Sequence, residues 1–270
     1  MPRWSNRPHR TGYSIASGII IGSIRMEKKS YTVLGLMSGS SLDGLDIACC
    51  QFTINPKASD RTDFLVDWHL AQAATIRFSE QWQGRLAYLP AQDALTFAKT
   101  NTYFGHYTGE LVNAFLQKFD LKPDFIAAHG HTIFHYPDKR LTVQIGDGAA
   151  LAATTGLPVV CDFRTHDIAI DGEGAPLAPL ADQLLLPGYD FYLNLGGIAN
   201  VSASIGDRFV AFDIGPANQV LNALANQLDI EYDDEGKIAA SGEVITTLLH
   251  EVNDIAYFRK MYPKSPSVSK

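Results

Sequence analysis

Residues 34–46 have the sequence LGLMSGSSLDGLD, in which an apolar strand enters a turn of small and acidic residues. The next segment, Leu45–Phe52, again has strand character, so the pattern predicts a β-hairpin rather than a strand-to-helix loop. Gly39 and Gly44 can take positive φ and let backbone amides approach a ligand, while three serines and two aspartates suit phosphate and a divalent cation. The stretch matches neither GxGxxG nor GxxxxGK[ST], and an ordinary Ser/Gly/Asp turn is the alternative.

The composition indicates a globular protein with a small-molecule partner. The 270 residues are 46% hydrophobic, which is enough for a core in one large domain or two. The formal net charge of −7, with no Lys/Arg run beyond the N-terminus, argues against nucleic acid or an anionic membrane as the main partner. Cys49, Cys50 and Cys161 are odd in number, and the adjacent pair would point to opposite faces of a strand, so no disulfide framework is expected. A reducing, cytoplasmic setting fits best.

Residues 1–30 combine Arg3, Arg7 and Arg10 with a short apolar run at 15–22. This outline is that of a signal peptide, but no convincing small-x-small cleavage site follows, and the run is too short to span a bilayer. We therefore expect a disordered or spurious leader, with the true start near Met26. A genuine export signal is the alternative.

Alternating strand and helix patterns over residues 31–190 predict a first α/β domain. Asp93 is placed to cap a long helix that reaches Phe119. The apolar residues of this helix recur at spacings of three, four and seven and predict one buried stripe, formed by Phe97, Phe104, Tyr107, Leu111, Phe115 and Phe119. Strands are predicted at 62–70, 125–128, 141–145 and 157–163, and shorter helices at 79–89 and 148–155.

From residue 191 the pattern begins again, which predicts a second α/β domain over 191–270. Strands predicted at 191–195, 199–204 and 208–213 repeat the order of strand, glycine turn and strand, as in a weak internal duplication. Pro216 is placed to open a helix. Nothing after the acidic loop 231–235 completes a second sheet, so we expect this domain to be truncated.

Two glycine turns, at 38–44 and 196–200, are candidates to bracket a polyphosphate with backbone amides, provided that a divalent cation offsets the phosphate charge. Asp43 and Asp46 are candidates to hold that cation, directly or through water. The structural alternative is that an aspartate beside glycine in a turn caps the backbone.

Two strand ends carry candidate catalytic side chains. Asp213 ends an apolar strand and is a candidate general base because its apolar neighbours partly desolvate it. Its alternative role is the N-cap of the next helix. Asp162, Arg164 and Asp167 follow another strand, where Arg164 could bind a substrate carboxylate through two N–H groups or pair with either aspartate.

His129, His131 and His135 form an H-x-H-x3-H pattern, in which the first two would share one face of an extended segment. This is a candidate zinc site of a metal-dependent hydrolase, which would need a further acid or histidine. Histidines that hydrogen-bond a substrate are the competing interpretation.

Seven motifs, taken in order, closely resemble those of the anhydro-N-acetylmuramic acid kinase family from about Tyr31 to Lys264. They are residues 37–46 (MSGSSLDGLD), 128–132 (AHGHT), 143–146 (VQIG), 162–164 (DFR), 172–177 (GEGAPL), 194–200 (NLGGIAN) and 212–218 (FDIGPAN). The resemblance implies the two-domain actin-like ATPase fold, a ribonuclease H-like α/β fold that the family shares with sugar kinases and heat-shock ATPases, here with an incomplete second domain.

The resemblance also implies an enzyme that uses ATP and Mg²⁺ to phosphorylate 1,6-anhydro-N-acetylmuramic acid on O6 while water opens the anhydro ring. The product would be N-acetylmuramic acid 6-phosphate, in the recycling of cell-wall sugar. Asp213 matches the base that takes a proton from water, and the coupling makes physical sense because ring opening frees O6. The implied nucleotide-binding residues are Gly39, Ser40, Ser41, Leu42, Asp43, Gly44, Leu45, Asp46, Gly196, Gly197 and Asn200, with Asp43 and Asp46 for Mg²⁺. The implied substrate-binding residues are His129, Thr132, Gln144, Arg164 and Asp167.

The sequence departs from the family pattern at several positions. Ser40 stands where threonine is usual and keeps the hydroxyl, and His131 replaces a common glutamine. Residues 165–166, Thr and His, stand where basic residues often follow Arg164, which bears on how a sugar carboxylate is recognised.

The family continues past Lys270 with a glycine-rich adenosine-binding segment and an acidic partner of the base, so we expect poor nucleotide binding and little turnover from this chain. The sequence leaves two other classes of function open. They are a non-catalytic nucleotide sensor of the same fold and the metal-dependent hydrolase. It does not fix the oligomeric state, for which a homodimer is one expectation.

Overall fold

The fold is described by a computed structural model that covers residues 19–21, 29–39, 42–58, 64–206 and 208–261. The strands are β1 (Ile19–Ile21), β2 (Ser30–Ser38), β3 (Gly44–Ile54), β4 (Leu65–Arg77), β5 (Phe125–Tyr136), β6 (Leu141–Ile145), β7 (Val159–Cys161), β8 (Phe191–Leu195), β9 (Ile198–Ile205) and β10 (Arg208–Pro216). The α-helices are α1 (Glu80–Tyr88), α2 (Ala94–Phe119), α3 (Gly148–Thr155), α4 (Thr165–Ala169), α5 (Ala178–Leu185), α6 (Asn218–Asn226), α7 (Lys237–Ser241) and α8 (Thr246–Asn253). Short 3₁₀ helices lie at Leu89–Ala91, Pro137–Lys139, Asp234–Gly236 and Ala256–Arg259.

A mixed sheet forms the centre of the first half. Within the described residues it contains seven strands in the order β1-β7-β5-β2-β3-β4, with β6 added to the end of β5. Strands β2, β3 and β4 are antiparallel neighbours, whereas β2, β5 and β7 run parallel. Ser38 faces Leu45 in the β2–β3 register, so the predicted hairpin is confirmed. Its turn lies at the same sheet edge as the middle of β5, because Ser38 also aligns with His131.

Helix α2 covers this sheet as its sequence pattern predicts. Asp93 caps it, with Oδ1 accepting hydrogen bonds from the amides of Leu95 at 2.9 Å and Thr96 at 3.0 Å. Phe104 and Phe115 are buried in the core, and the other four residues of the predicted stripe pack against it. The helix also crosses α3 closely, since a methyl group on Gly105 would lie only 2.5 Å from the Asp147 carbonyl oxygen. Helix α2 thereby packs closely against the start of α3.

Several strands differ in length from the prediction, for reasons that lie outside local sequence. β4 runs to Arg77 because it pairs with β3 along nearly all of its length. β5 does not end at Ala128 but carries the polar residues that follow it, because β6 pairs with this extension. β7 is only three residues long, and the left-handed φ of 64° at Asp162 ends it.

The second half contains a separate three-stranded antiparallel sheet in the order β10-β9-β8. Both halves thus begin with a three-stranded meander, as the repeated sequence pattern predicted. Asp213 of β10 lies opposite Asn200 of β9, and a β-bulge follows between Asp213 and Gly215. A bulge bends its strand and changes the direction of a side chain, so it sets the position of the Asp213 carboxylate. The division into domains at residue 190 stays a prediction.

Part of the predicted leader lies in the sheet. Ile19–Ile21 pairs antiparallel with Val159–Cys161, so these three residues form a strand rather than a disordered segment. The remainder of 1–28 lies outside the described residues. All three cysteines are free, as expected. A search of the described segments finds no helix that is both long and apolar enough to cross a bilayer.

Candidate active site

Asp213 lies at the centre of the candidate site. Its side chain is buried, with only 6% of the residue exposed. The Tyr257 hydroxyl, in the last 3₁₀ helix, donates a hydrogen bond to the Asp213 carbonyl oxygen at 2.8 Å. The adjacent Phe258 packs on the bulge so closely that a methyl group on Gly215 would lie 3.0 Å from its ring. The β10 bulge is therefore fixed from one side by its own sheet and from the other by residues 257–258.

Arg164 connects Asp213 to the first sheet. It follows β7, and its Nε donates to His129 Nε2 at 2.8 Å while its Nη1 donates to the Gly174 carbonyl oxygen at 2.8 Å. Burial lowers the pKa of the guanidinium, and the nearby Asp213 carboxylate opposes that change. Arg164 is thus held by two acceptors on different segments, and its pKa responds to the charge of the candidate base.

His129 has one tautomer that satisfies both of its neighbours. Its Nδ1 lies 2.9 Å from the Gly130 carbonyl oxygen, which only accepts, and its Nε2 meets the guanidinium of Arg164, which only donates. The ring must then be neutral, with its proton on Nδ1. Burial lowers its pKa to about 4, and the charge of Arg164 acts in the same direction. The histidine therefore stays neutral at physiological pH.

Asp167 organises the glycine-rich loop that follows α4. Its Oδ2 accepts a hydrogen bond from the Gly174 amide at 2.7 Å, and its backbone carbonyl accepts from the Gly172 amide at 2.7 Å. A side chain at Gly172 would collide with the Asp167 carboxylate, and Gly174 adopts φ of 63°. Both glycines are needed for this turn, which places the Gly174 carbonyl against Arg164.

A row of polar side chains lies on paired positions of β5 and β6. The Gln144 amide donates to Thr132 Oγ1 at 3.3 Å and to Thr142 Oγ1 at 2.8 Å. His135 Nδ1 lies 3.2 Å from Thr142 Oγ1, while its buried Nε2 has no partner among the described residues. Burial lowers the pKa of His135 to about 4, and the Arg164 charge adds to this shift. His135 in this row therefore lies within reach of the Arg164 charge.

The three histidines of the H-x-H-x3-H pattern do not converge on a metal. His131 is 1% exposed, and its Nδ1 lies 2.9 Å from Ser38 Oγ, so its partner differs from those of the other two histidines. Gly130 adopts φ of 77°, which breaks strand alternation, and the β5–β6 register shifts before Phe134. The described residues contain no group of three or more His, Cys, Asp or Glu that could hold a metal ion, so the alternative of a zinc site at these histidines is not favoured.

The turn between β2 and β3 opens on a large cavity. Of the predicted loop, Ser40 and Ser41 lie outside the described residues. Leu42 takes the left-handed conformation at φ of 62°, whereas Gly44 does not. Gly44 is instead required because a methyl group there would lie 2.5 Å from the Ile76 carbonyl oxygen of β4. The predicted role of Gly44 as a residue of positive φ is therefore wrong.

This cavity has a volume of about 1290 Å³ and lies between the two halves of the chain. Leu42, Asp43 and residues of β4 and α1 line one side, and α6 with the acidic loop 231–233 lines the other. Arg77 and Glu231 join the two sides through an ion pair of 3.6 Å. Asp46 does not line this cavity, and its Oδ1 accepts a hydrogen bond from Thr75 at 2.5 Å. The structure therefore directs Asp43, but not Asp46, into this space.

The second glycine turn is used differently from the first. The Gly196 carbonyl accepts from the Asn218 amide at 3.1 Å, and the Gly197 carbonyl accepts from the Ala217 amide at 2.9 Å. The turn thus holds the start of α6, and neither glycine is among the residues that line the cavity. Asn200, by contrast, faces Asp213, and its buried Oδ1 has no partner within the described part of the chain.

Sequence reasoning missed Tyr257, Phe258 and Glu173. Burial raises the pKa of Tyr257 to about 12, and the carboxylates of Asp213 and Glu173 add to the shift. The hydroxyl therefore lies near both acids. Tyr257 is 44 residues from Asp213 in the chain, and no local pattern marks such a contact.

Comparison with known proteins agrees with the fold and the motifs. The family model described as anhydro-N-acetylmuramic acid kinase matches residues 31–268. Relatives of that name are 34% identical over 263 residues in Pseudoalteromonas translucida, 36% over 254 in Rhodopseudomonas palustris and 36% over 254 in Haemophilus influenzae. The alignments cover 88%, 87% and 90% of this chain but only 63%, 66% and 63% of the relatives.

The mixed α/β organisation is consistent with the actin-like fold of sugar kinases, as the sequence predicted. The chain spans less than two thirds of the length of these relatives. The family match nevertheless extends over most of the sequence, from the first strand of the hairpin to beyond Tyr257. The chain therefore belongs to the anhydro-N-acetylmuramic acid kinase family.

Proposed function

We propose that this chain takes part in the ATP-dependent phosphorylation of 1,6-anhydro-N-acetylmuramic acid, with hydrolytic opening of the anhydro ring. The product is N-acetylmuramic acid 6-phosphate, an intermediate of murein recycling. Family membership supports this activity. The observation that carries it is a buried carboxylate, Asp213, on a strand bulge between a cation at Arg164 and the amide of Asn200.

Asp213 is the general base in this proposal. A buried carboxylate has little competing solvent around it, which suits it to accept a proton from a bound water. As water adds to the anomeric carbon and gives its proton to Asp213, the bond from that carbon to O6 breaks. The freed O6 accepts the transferred phosphoryl group in the same site, so each step assists the other.

The polar row of β5 and β6 forms the proposed sugar site. Thr132 and Gln144 present a hydroxyl and an amide, and Arg164 supplies a cation for the carboxylate of the sugar acid. Buried polar atoms normally have partners, and both His135 Nε2 and Asn200 Oδ1 lack one in the described chain. Sugar hydroxyl and N-acetyl groups are suitable partners for these two atoms. We assign His129 and Asp167 to the support of Arg164 and its loop rather than to direct sugar contact.

The cavity beside the first hairpin is the proposed nucleotide site. Its volume of about 1290 Å³ exceeds the roughly 300–1,000 Å³ of usual small-ligand pockets, so it has room for a nucleotide. Backbone amides of the hairpin, from Gly39 to Asp46, would hold the phosphates, and Asp43 would hold Mg²⁺. One or two carboxylates and phosphate oxygens are the usual ligands of this ion, so no three-residue cluster is needed. When bound, Mg²⁺ offsets the charge of the phosphates. Gly196 and Gly197 would contribute to nucleotide binding indirectly, because they hold the start of α6, which lines the cavity. Asn200 would contribute through its position opposite Asp213.

Two further proposals follow from the same chemistry. ATP and free cysteines indicate the cytoplasm, where thiols stay reduced. The second proposal is that the protein forms a homodimer, which a measurement of its mass in solution would test.

The test is the Asp213→Asn variant, which keeps the shape of the side chain and removes its basicity. We expect it to abolish formation of the 6-phosphate from the anhydro sugar and ATP, with ATP affinity by calorimetry unchanged. The matched control is Asp167→Asn, which should lower sugar affinity through the loop without abolishing turnover. Near-normal turnover by the Asp213→Asn variant would refute the assignment of the base. A non-catalytic sensor would be favoured instead if Asp213→Asn left both ligand binding and the biological effect of the protein unchanged.

A further inference from the structure

The cavity beside the first hairpin is lined by more negative charge than positive charge. Four of its lining residues carry carboxylates, namely Asp43, Glu80, Glu231 and Asp233. Arg77 is the only cation among the described residues that line it. The facing helix α6 supplies apolar and amide side chains and no charge. A ligand with several negative charges therefore meets one positive side chain of the described protein in this space.

Arg77 lies beside the hairpin whose amides are proposed to hold the phosphates. It is the last residue of β4 and pairs with Gly44, the first residue of β3. A methyl group on Gly44 would lie 3.1 Å from the Arg77 Cα. The amide of the next residue, Phe78, donates to the Asp43 carbonyl oxygen at 3.2 Å. The backbone of Arg77 is thus fixed next to the turn, whereas its exposed side chain can reorient toward a ligand.

In the structure the Arg77 guanidinium faces Glu231 across the cavity. Its Nη1 lies 3.6 Å from Glu231 Oε1, which is longer than a hydrogen bond, and the two side chains are 79% and 67% exposed. Exposed ion pairs add little stability, because water screens them. A phosphate carries more charge than a carboxylate and matches the planar N–H groups of arginine. Phosphate groups in the cavity can therefore replace Glu231 as the partner of Arg77.

Lys237 is a cation of the same region that is bound differently. It follows the lining residue Gly236 but does not itself line the cavity. Its Nζ lies 2.9 Å from Glu235 Oε2 and 3.3 Å from Asp234 Oδ2, so two carboxylates of its own loop hold it. Lys237 therefore provides a matched control, with the same charge as Arg77 but outside the cavity.

We propose that Arg77 binds the phosphate groups of the nucleotide in this cavity and exchanges Glu231 for them. The proposal rests on the proposed function, which places the nucleotide here. Arg77 belongs to the first half of the chain and Glu231 to the second. Binding of the phosphates therefore replaces an ion pair that joins the two sides of the cavity.

The experiment measures by calorimetry the affinity of the intact chain for ATP and for inorganic triphosphate, each with Mg²⁺. Arg77→Gln should weaken both ligands about tenfold, as for the loss of one charge-assisted contact. Arg77→Lys keeps the charge but not the planar set of N–H groups, so its affinities should lie between those of Arg77→Gln and the wild type. Glu231→Gln should strengthen both ligands about threefold, because it removes the competing carboxylate. Lys237→Gln removes the same charge outside the cavity and should bind both ligands as the wild type does.

Three results would overturn the proposal. They are unchanged affinities in Arg77→Gln, an equal loss in Lys237→Gln, which would be an effect of net charge alone, and a wild-type chain that binds neither ligand. The two ligands also separate this proposal from the proposed function. If the wild type binds triphosphate through Arg77 but does not bind ATP, the nucleotide site is refuted and the phosphate-binding role of Arg77 stands. ATP binding that does not depend on Arg77 would have the opposite meaning.

Discussion

The first hairpin turn and the cluster around Arg164 are both rich in glycine and aspartate, yet they differ in burial. Asp43 and Asp46 are exposed at the turn, whereas Asp213 and His129 are 6% and 8% exposed. Around Arg164 the protein itself supplies most hydrogen-bond partners, because an unpaired buried polar group is costly. At the turn, by contrast, both carboxylates are exposed to solvent, and Asp46 is bonded to Thr75. The difference shows that burial, rather than residue type, distinguishes the two sets of side chains. Those around Arg164 are already bonded within the protein, whereas those at the turn are exposed in the proposed nucleotide site.

The largest expected effect is on the buried side and comes from pH. His129 and His135 each have a pKa lowered from 6.5 to about 4, by burial and then by the Arg164 charge. The unfolded chain therefore binds protons first as the pH falls, so each histidine contributes stability that is present above pH 6.5 and lost as the pH falls toward 4. The loss is about 3 kcal/mol for each histidine. Chemical denaturation at several pH values measures it.

A matched pair of variants isolates the contribution of one ring. Between pH 7 and pH 4, the free energy of unfolding of His135→Gln should fall less than that of the wild type. The difference should be the loss of about 3 kcal/mol expected for one histidine. His106→Gln, at an exposed position, should follow the wild-type curve. If the His135→Gln and wild-type curves are parallel, the buried ring does not titrate as described.

The second prediction concerns Gly44, a tightly packed residue of the hairpin. Gly44→Ala would place a methyl group 2.5 Å from the Ile76 carbonyl oxygen, so β3 and β4 must separate locally. We expect a loss of about 2 kcal/mol in the free energy of unfolding, typical of an overpacked site. Urea denaturation at neutral pH is the measurement.

The control is Gly84 of α1, which lines the cavity beside the same hairpin. A methyl group on Gly84, in α1, would meet no other atom within 4 Å, so Gly84→Ala should stabilise the protein by about 0.5–1 kcal/mol through helix propensity. Equal effects of the two substitutions would show that backbone contact at Gly44 does not matter. In that case the hairpin would tolerate an added methyl group as readily as α1 does, and would differ more clearly from the buried cluster around Arg164.

Local signals predicted much of the fold. Asp93 and the apolar stripe define α2, and Asp147 with Gly156 define α3, because caps and periodicity act over a few residues. The β2–β3 hairpin follows from alternation and turn residues. The extension of β5 could not be predicted, because β6 provides the pairing that carries a strand through polar sequence.

The site was predicted as a set of residues but not as an arrangement. The motifs identify Asp213, Arg164 and His129, and the structure brings these three together. Which of them contact one another depends on the bulge in β10 and on the turn at Gly130, neither of which a short pattern specifies. Tyr257 was missed for the same reason, since only tertiary folding brings its hydroxyl to the Asp213 backbone.

The smallest expected effect separates the two exposed aspartates from each other. Asp43 lines the cavity proposed for nucleotide, whereas Asp46 is bonded to Thr75 and does not line it. Asp43→Asn should therefore lower ATP affinity by about tenfold in Mg²⁺, or 1.4 kcal/mol, and Asp46→Asn should lower it less. Calorimetry with ATP in Mg²⁺ and again in a chelator makes the comparison. Neither variant should change the free energy of unfolding by more than about 0.5 kcal/mol, because both side chains are exposed.

The chelator arm shows whether the carboxylate acts through the cation. Without Mg²⁺, Asp43→Asn should bind ATP at least as well as the wild type, since it removes a negative charge that repels the phosphates. A tenfold loss that persists in chelator would mean that Asp43 holds the turn itself. A larger loss for Asp46→Asn than for Asp43→Asn would reverse the assignment. That result would require the turn to rearrange when nucleotide binds. Lining of the cavity in the free protein would then not identify the carboxylate that holds Mg²⁺.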